Sequence, residues 1–101
     1  MLIVDEIIDY LEYKDKVLFA TFSVYYDRGA EVESLHQYIN ELRDSYVNEC
    51  FDKYKEKLMD RAIKESVINV IKSKGADKNY SNKKTMNAFY NKLVTVNVLK
   101  K

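Results

Sequence analysis

Lys16-Val17-Leu18-Phe19-Ala20-Thr21-Phe22-Ser23-Val24-Tyr25-Tyr26 decides the fold class, because two periodicities fit these eleven residues. Alternation puts Leu18, Ala20, Phe22, Val24 and Tyr26 on one face and Val17, Phe19, Thr21, Ser23 and Tyr25 on the other. That is a strand with one apolar and one mixed face, and its β-branched and aromatic content favours the reading. In the competing reading Leu18, Phe22 and Tyr25 form a helical stripe, Asp15 caps its start, and Gly29 supplies the C′ residue that ends it. The strand is the favoured reading. The expected class is then a predominantly α-helical small single domain of α+β type. It has four to five helices and two short strands, about 17–26 and 94–99; an all-α bundle is the alternative.

Toward the N-terminus, Leu2, Ile3, Ile7, Ile8, Tyr10 and Leu11 share a stripe at helical spacing, with Asp5, Glu6, Asp9 and Glu12 opposite. A helix over 2–13 follows, its early acids suited to the positive end of the helix dipole. Toward the C-terminus, residues 31–73 read as helical, with no Gly or Pro inside. Leu35, Ile39, Leu42 and Tyr46 make one stripe and Val47, Phe51, Tyr54, Leu58 and Ala62 the next. The phase slips at 46–47, which predicts a break with Asp44 or Ser45 as N-cap of a second helix. Ile63, Val67, Val70 and Ile71 continue the apolar side until Lys72, Lys74 and Gly75 stop it. Residues 75–82 are the evident loop, and Ser81 or Asn82 can cap a last helix carrying Met86, Phe89, Tyr90 and Leu93. Val94, Val96 and Val98 then alternate with Thr95, Asn97 and Leu99 as the second strand.

With 101 residues and 47% apolar content, the chain has material for one core. One cysteine excludes an internal disulfide and points to a reducing compartment. Residues 1–6 carry two acids and no basic region, so no signal peptide is expected, and no apolar run reaches the roughly 18 residues of a membrane span. The expected location is the cytoplasm, or a host's cytoplasm for a viral chain. The leaning toward Lys, Asn, Tyr and Ile suggests an AT-rich genome, such as a low-GC bacterium, its phages or a large DNA virus.

Net charge is +1 overall but −7 over residues 1–50 and +8 over residues 51–101. Such polarity either neutralises internally or marks a charged partner. The basic excess gathers in Lys72, Lys74, Lys78, Lys83, Lys84 and Lys92, with Tyr80 and Tyr90 interleaved. Lysines neutralise phosphates and tyrosines stack on bases, so residues 72–101 are a candidate surface for nucleic acid or an acidic partner. Three arginines are few for base-specific readout. Asp5, Glu6, Asp9 and Glu12 form the candidate acidic docking face.

Catalytic chemistry has little to stand on. Glu33 and His36 match half of a di-iron carboxylate motif, but a second histidine is missing. Cys50 lies among stripe residues and reads as a structural thiol. Glu12-Tyr13-Lys14 matches a nuclease Glu-x-Lys element in three residues only, and two glycines cannot build a phosphate loop. No catalytic, metal or cofactor site is expected. The expectation is a small interaction or regulatory protein that binds a protein partner or a second copy, with non-specific nucleic-acid binding as the alternative and no membrane role.

Overall fold

The computed structural model describes residues 2–74 and 84–95. The ambiguous segment is helical: residues 17–26 are the second half of one helix, α1 (Ile3–Asp27), which runs unbroken from the N-terminus. The expected first strand is therefore corrected, and the all-α alternative fits. β-branched and aromatic residues cost at most ~0.7 kcal/mol each in a helix. Leu18, which is 2% exposed, packs with Phe22 against Leu35 and Ile39, and such tertiary burial routinely overrides local propensity. Thr21 removes the remaining polar conflict by donating its hydroxyl to the Val17 carbonyl at 2.8 Å. Packing wins over propensity.

Gly29 ends α1 as the helical reading requires. Its N–H donates to the Tyr26 carbonyl and the Ala30 N–H to the Tyr25 carbonyl, both at 3.0 Å. With Gly29 at φ +86°, this is a Schellman turn. Nothing lies within 4 Å of where a Cβ on Gly29 would sit, so a side chain there meets only backbone strain. Gly29→Ala is expected to cost about 1 kcal/mol in chemical denaturation. An unchanged midpoint would refute the left-handed turn.

The chain reverses into α2 (Val32–Lys53), capped by Glu31, whose carboxylate accepts from the Ser34 N–H at 2.9 Å. No break occurs at 44–46. The phase slip there marks a change of neighbour: Leu35, Ile39, Leu42 and Tyr46 pack with Leu18 and Phe22 of α1. Val47, Cys50, Phe51 and Tyr54 join a larger core. The helix breaks at Tyr54, followed by the single turn α3 (Lys55–Leu58). Asp60 then caps α4 (Arg61–Ser73), accepting from the Ala62 and Ile63 N–H groups at 2.9 and 3.3 Å. The last helix, α5 (Lys84–Thr95), buries Met86, Phe89 and Leu93. Val94 and Thr95 belong to α5, so the expected second strand is not formed there; its residues 96–99 lie outside the described residues, as do Ser81 and Asn82. Among the described residues there is no strand.

Two cores result. The larger joins Ile7, Ile8 and Leu11 of α1 to Val47, Cys50 and Phe51 of α2, Leu58 of α3, Val67 and Ile71 of α4, and Met86, Phe89 and Leu93 of α5. The smaller holds Leu18, Leu35 and Ile39 near the α1–α2 turn. The α5 helix enters the groove between α1 and α2 and runs in the same direction as α2, from Lys84 beside Arg43 to Lys92, whose ammonium lies 5.0 Å over the Phe51 ring. Asp15 of α1 fixes its start by accepting from the Thr85 hydroxyl and, at 3.3 Å, from the Thr85 N–H. A cap for α5 thus comes from another helix.

The described residues extend 48 × 25 × 24 Å, with a radius of gyration of 14.4 Å against about 12–13 Å for a compact chain of this size. The excess is the α1–α2 hairpin, which continues past the start of α5 as an arm.

Candidate functional site

The arm consists of α1 beyond Asp15 and α2 before Arg43. On α1 the stripe Ile8–Asp15, which meets α5, continues at helical spacing as Phe19, Phe22 and Tyr26. On α2 the side that Val47 and Phe51 present to the larger core continues as Arg43, Asn40 and His36. The open groove between them is lined by Leu18, Phe19, Phe22, His36, Ile39 and Arg43. It is the extension of the seat that α5 fills lower down.

Its walls are aromatic. Phe22 stacks on Tyr26 with centroids 5.9 Å apart and meets the His36 ring at 5.1 Å. Phe19 is 74% exposed although it lies one turn from the part-buried Asp15–Thr85 contact. On the other side of the arm Tyr25 meets Tyr38 edge-on at 5.9 Å. Val24, Val32, Tyr25, Tyr26 and Tyr38 are all exposed as well. Singly exposed apolar residues are ordinary, but a contiguous patch marks a contact surface.

The arm is also polar along its length. At its root lie Lys16, Arg43 and Lys84; Arg43 donates Nη1–H to Asn40 Oδ1 at 2.8 Å, and its buried Nε has no hydrogen-bond partner among the described residues. At its tip Asp27, Arg28, Glu31 and Glu33 carry a net charge of −2. Hydrogen bonds from Ser34 hold the Glu31 carboxyl below its usual range.

The surfaces expected from sequence are placed as follows. Glu12 pairs with Lys74 at 3.3 Å, tying the acidic half to the basic half. Glu6 accepts from the Tyr54 hydroxyl at 2.9 Å, while Asp5 and Asp9 are exposed. Two of the four residues of the acidic face therefore serve contacts within the fold. In the basic set, Lys72 and Lys84 are exposed, Lys92 covers Phe51 and Tyr90 packs against the larger core. Lys78, Tyr80 and Lys83 lie outside the described residues. Phe19, Phe22 and Arg43 were not singled out by sequence reasoning. Their signal exists only once 17–26 is helical, when Phe19 falls off the stripe that faces α2.

His36 packs on Phe22, and Cys50 is fully buried. Among the described residues no three His, Cys, Asp or Glu side chains gather as a metal site, and no helix is long and apolar enough to cross a membrane. Burial pushes the Cys50 thiol up to about 12, with nearby Lys53 opposing the shift. Burial and the hydrogen bond to Glu6 push Tyr54 up to about 12 as well. The fold thus favours the neutral form of both groups. Unfolded, they ionise near pH ~8.5 and ~10. Stability is complete below about pH 8.5 and falls as pH rises toward 12, by about 1.4 kcal/mol per pH unit for each proton in its window. Urea midpoints measured from pH 7 to 11 check this; a flat profile above pH 9 would contradict the burial of both groups.

Comparison with protein-family models, with curated proteins and with solved structures finds no match to this chain.

Proposed function

We propose that this chain is a small interaction protein that binds a protein partner through the α1–α2 arm, in a regulatory or accessory role rather than as an enzyme. The observation that carries the reading is aromatic surface on a two-helix arm: Phe19 and Tyr26 are exposed among the described residues beside half-buried Phe22, and Tyr25 and Tyr38 are exposed on the arm's other side. Two helices cannot bury both sides of such an arm, and water contact with that surface is a standing cost that an occupant removes. Tyrosine suits the task because its rigid ring gives contact area at low entropic cost, and its hydroxyl can stay wet. A buried, unactivated Cys50 accords with an intracellular setting.

Nucleic-acid binding through residues 72–101 is the second reading. It has less behind it, because Lys74 is spent on Glu12 and Lys92 on Phe51. The test is capture from a lysate of the source cell on the immobilised chain, with a Phe19→Lys bait as control. A partner retained by the first and lost by the second supports the arm. Equal retention by both refutes it, and a retained species released by nuclease favours the second reading.

A further inference from the structure

We infer that the occupant of the arm is a second copy of this chain, docked antiparallel so that two arms close into one four-helix layer. The inference rests on the arm being a docking surface, and it specifies the partner.

The first argument is architectural. In the lower half of the molecule α1 and α2 are sandwiched against α4 and α5, a cross-section of four helices. In the arm the same two helices stand as a pair with their groove open. From Asp15 to Asp27 the arm spans about 18 Å. A second arm brings two helices of matching length to the groove beyond Lys84, where among the described residues only α1 and α2 stand, and makes a four-helix section there.

The second argument is periodicity. Asp15, Phe19, Phe22 and Tyr26 recur at spacings of 4, 3 and 4, the seam of a packed helix pair. Helices in such a seam meet at about 20°, near enough to antiparallel for Phe19 of one copy to approach the partner's Tyr26. Phe22, midway, then lies beside the two-fold axis.

The third argument is charge, and it selects a copy of this chain over a foreign protein. Counted with both signs, the arm runs from a root of net +1 (Lys16, Arg43 and Lys84 against Asp15 and Asp44) to a tip of net −2 (Asp27, Arg28, Glu31 and Glu33). Antiparallel docking places each tip against the other root, so the partner's Glu33 approaches Arg43 and Lys84. Both ends are matched at once by one rotation, which is what an isologous interface demands. Parallel docking would oppose like charges and is disfavoured.

Sedimentation equilibrium of the full chain over a dilution series tests the inference. A reversible monomer–dimer equilibrium is expected, weakened at least ~100-fold in Kd by Phe19→Lys, which puts a charge into each of the two Phe19–Tyr26 contacts that flank the axis. Circular dichroism and the urea midpoint of dilute Phe19→Lys should match the parent, because Phe19 makes little of the monomer's core. Arg43→Glu and Glu33→Arg should each weaken the dimer, and an equimolar mixture of the two single variants should recover it. That recovery cannot come from misfolding. A parent chain that stays monomeric throughout overturns the inference, as does a dimer indifferent to Phe19→Lys. In a monomeric parent, capture of a foreign protein that Phe19→Lys abolishes leaves the arm reading standing without the second copy. Capture indifferent to Phe19→Lys removes both.

Discussion

Phe89→Ala is expected to destabilise the fold by about 3–5 kcal/mol, whereas Phe19→Ala in dilute solution changes it by less than about 0.5 kcal/mol. Both are phenylalanines on helices with an apolar stripe, and they differ only in cover. Phe89 is fully buried in the groove between α1 and α2, where it meets the core formed by Ile8, Leu11, Val47 and Phe51. Removing its ring leaves a cavity that the surrounding helices cannot close without moving α5. Phe19 occupies the continuation of that groove, where nothing of the described chain replaces water on its exposed face. For a domain whose whole stability is about 5–15 kcal/mol, the first change removes a large share and the second none. Urea unfolding of both variants, at concentrations below any association, reads the difference. A Phe89→Ala loss under about 1 kcal/mol would mean that α5 does not sit in the groove described.

Much of the helical organisation was legible before any coordinates. The stripes of residues 2–13, the apolar run to Ile71 and the Met86–Phe89–Leu93 face all follow from spacing, and Ile7, Ile8, Leu11, Val67, Ile71, Met86, Phe89 and Leu93 are buried as expected, whereas Leu2 and Ala62 are exposed. Two features misled. Residues 17–26 satisfy periods of 2 and 3.6 equally, so local propensity pointed to a strand. The decision came from a non-local fact, the burial of Leu18 against Leu35 and Ile39. At 46–47 the stripe rotates because α2 changes neighbours, and a rotation of the apolar face looks the same in sequence as a break. The true break at Tyr54 lacks a strong stop signal, and Asp60, which caps α4, was not picked out in the sequence, where Asp44 or Ser45 was expected instead.

The candidate site was less legible for a related reason. The charge split is visible in the sequence, but its placement is not. Glu12 and Lys74 are 62 residues apart and meet only because α4 returns along α1. Whether a charged residue is spent inside the fold or offered outward depends on such returns. The arm depends equally on where cover ends: among the described residues α5 covers the groove as far as Lys84, and Phe19 and Tyr26 beyond it are exposed.

The contact that sets that limit yields the other large effect. Asp15→Ala is expected to cost about 2–3 kcal/mol, more than an average surface cap, because Thr85 is fully buried and its hydroxyl and N–H both donate to that carboxylate. Without it, two donors at the start of α5 are left in a dry site, and the helix loses an anion near its positive end. Asp15→Asn keeps an acceptor and should lose less than half as much. Thr85→Val, close in volume, removes one donor and should cost about 1 kcal/mol. A double-mutant cycle of Asp15→Ala with Thr85→Val should then show a coupling of at least about 1 kcal/mol. A coupling near zero would show that Asp15 matters through some other neighbour. The same contact bears on docking, since α5 ends the covered part of the groove at Asp15 and Thr85. Loosening it should expose Ile8, Val47 and Phe51 alongside Phe19 and Phe22. Asp15→Ala should therefore bind a hydrophobic dye more strongly than the parent chain while keeping most of its helix content. Unchanged dye binding at full destabilisation would mean that α5 stays seated and the energy is lost elsewhere.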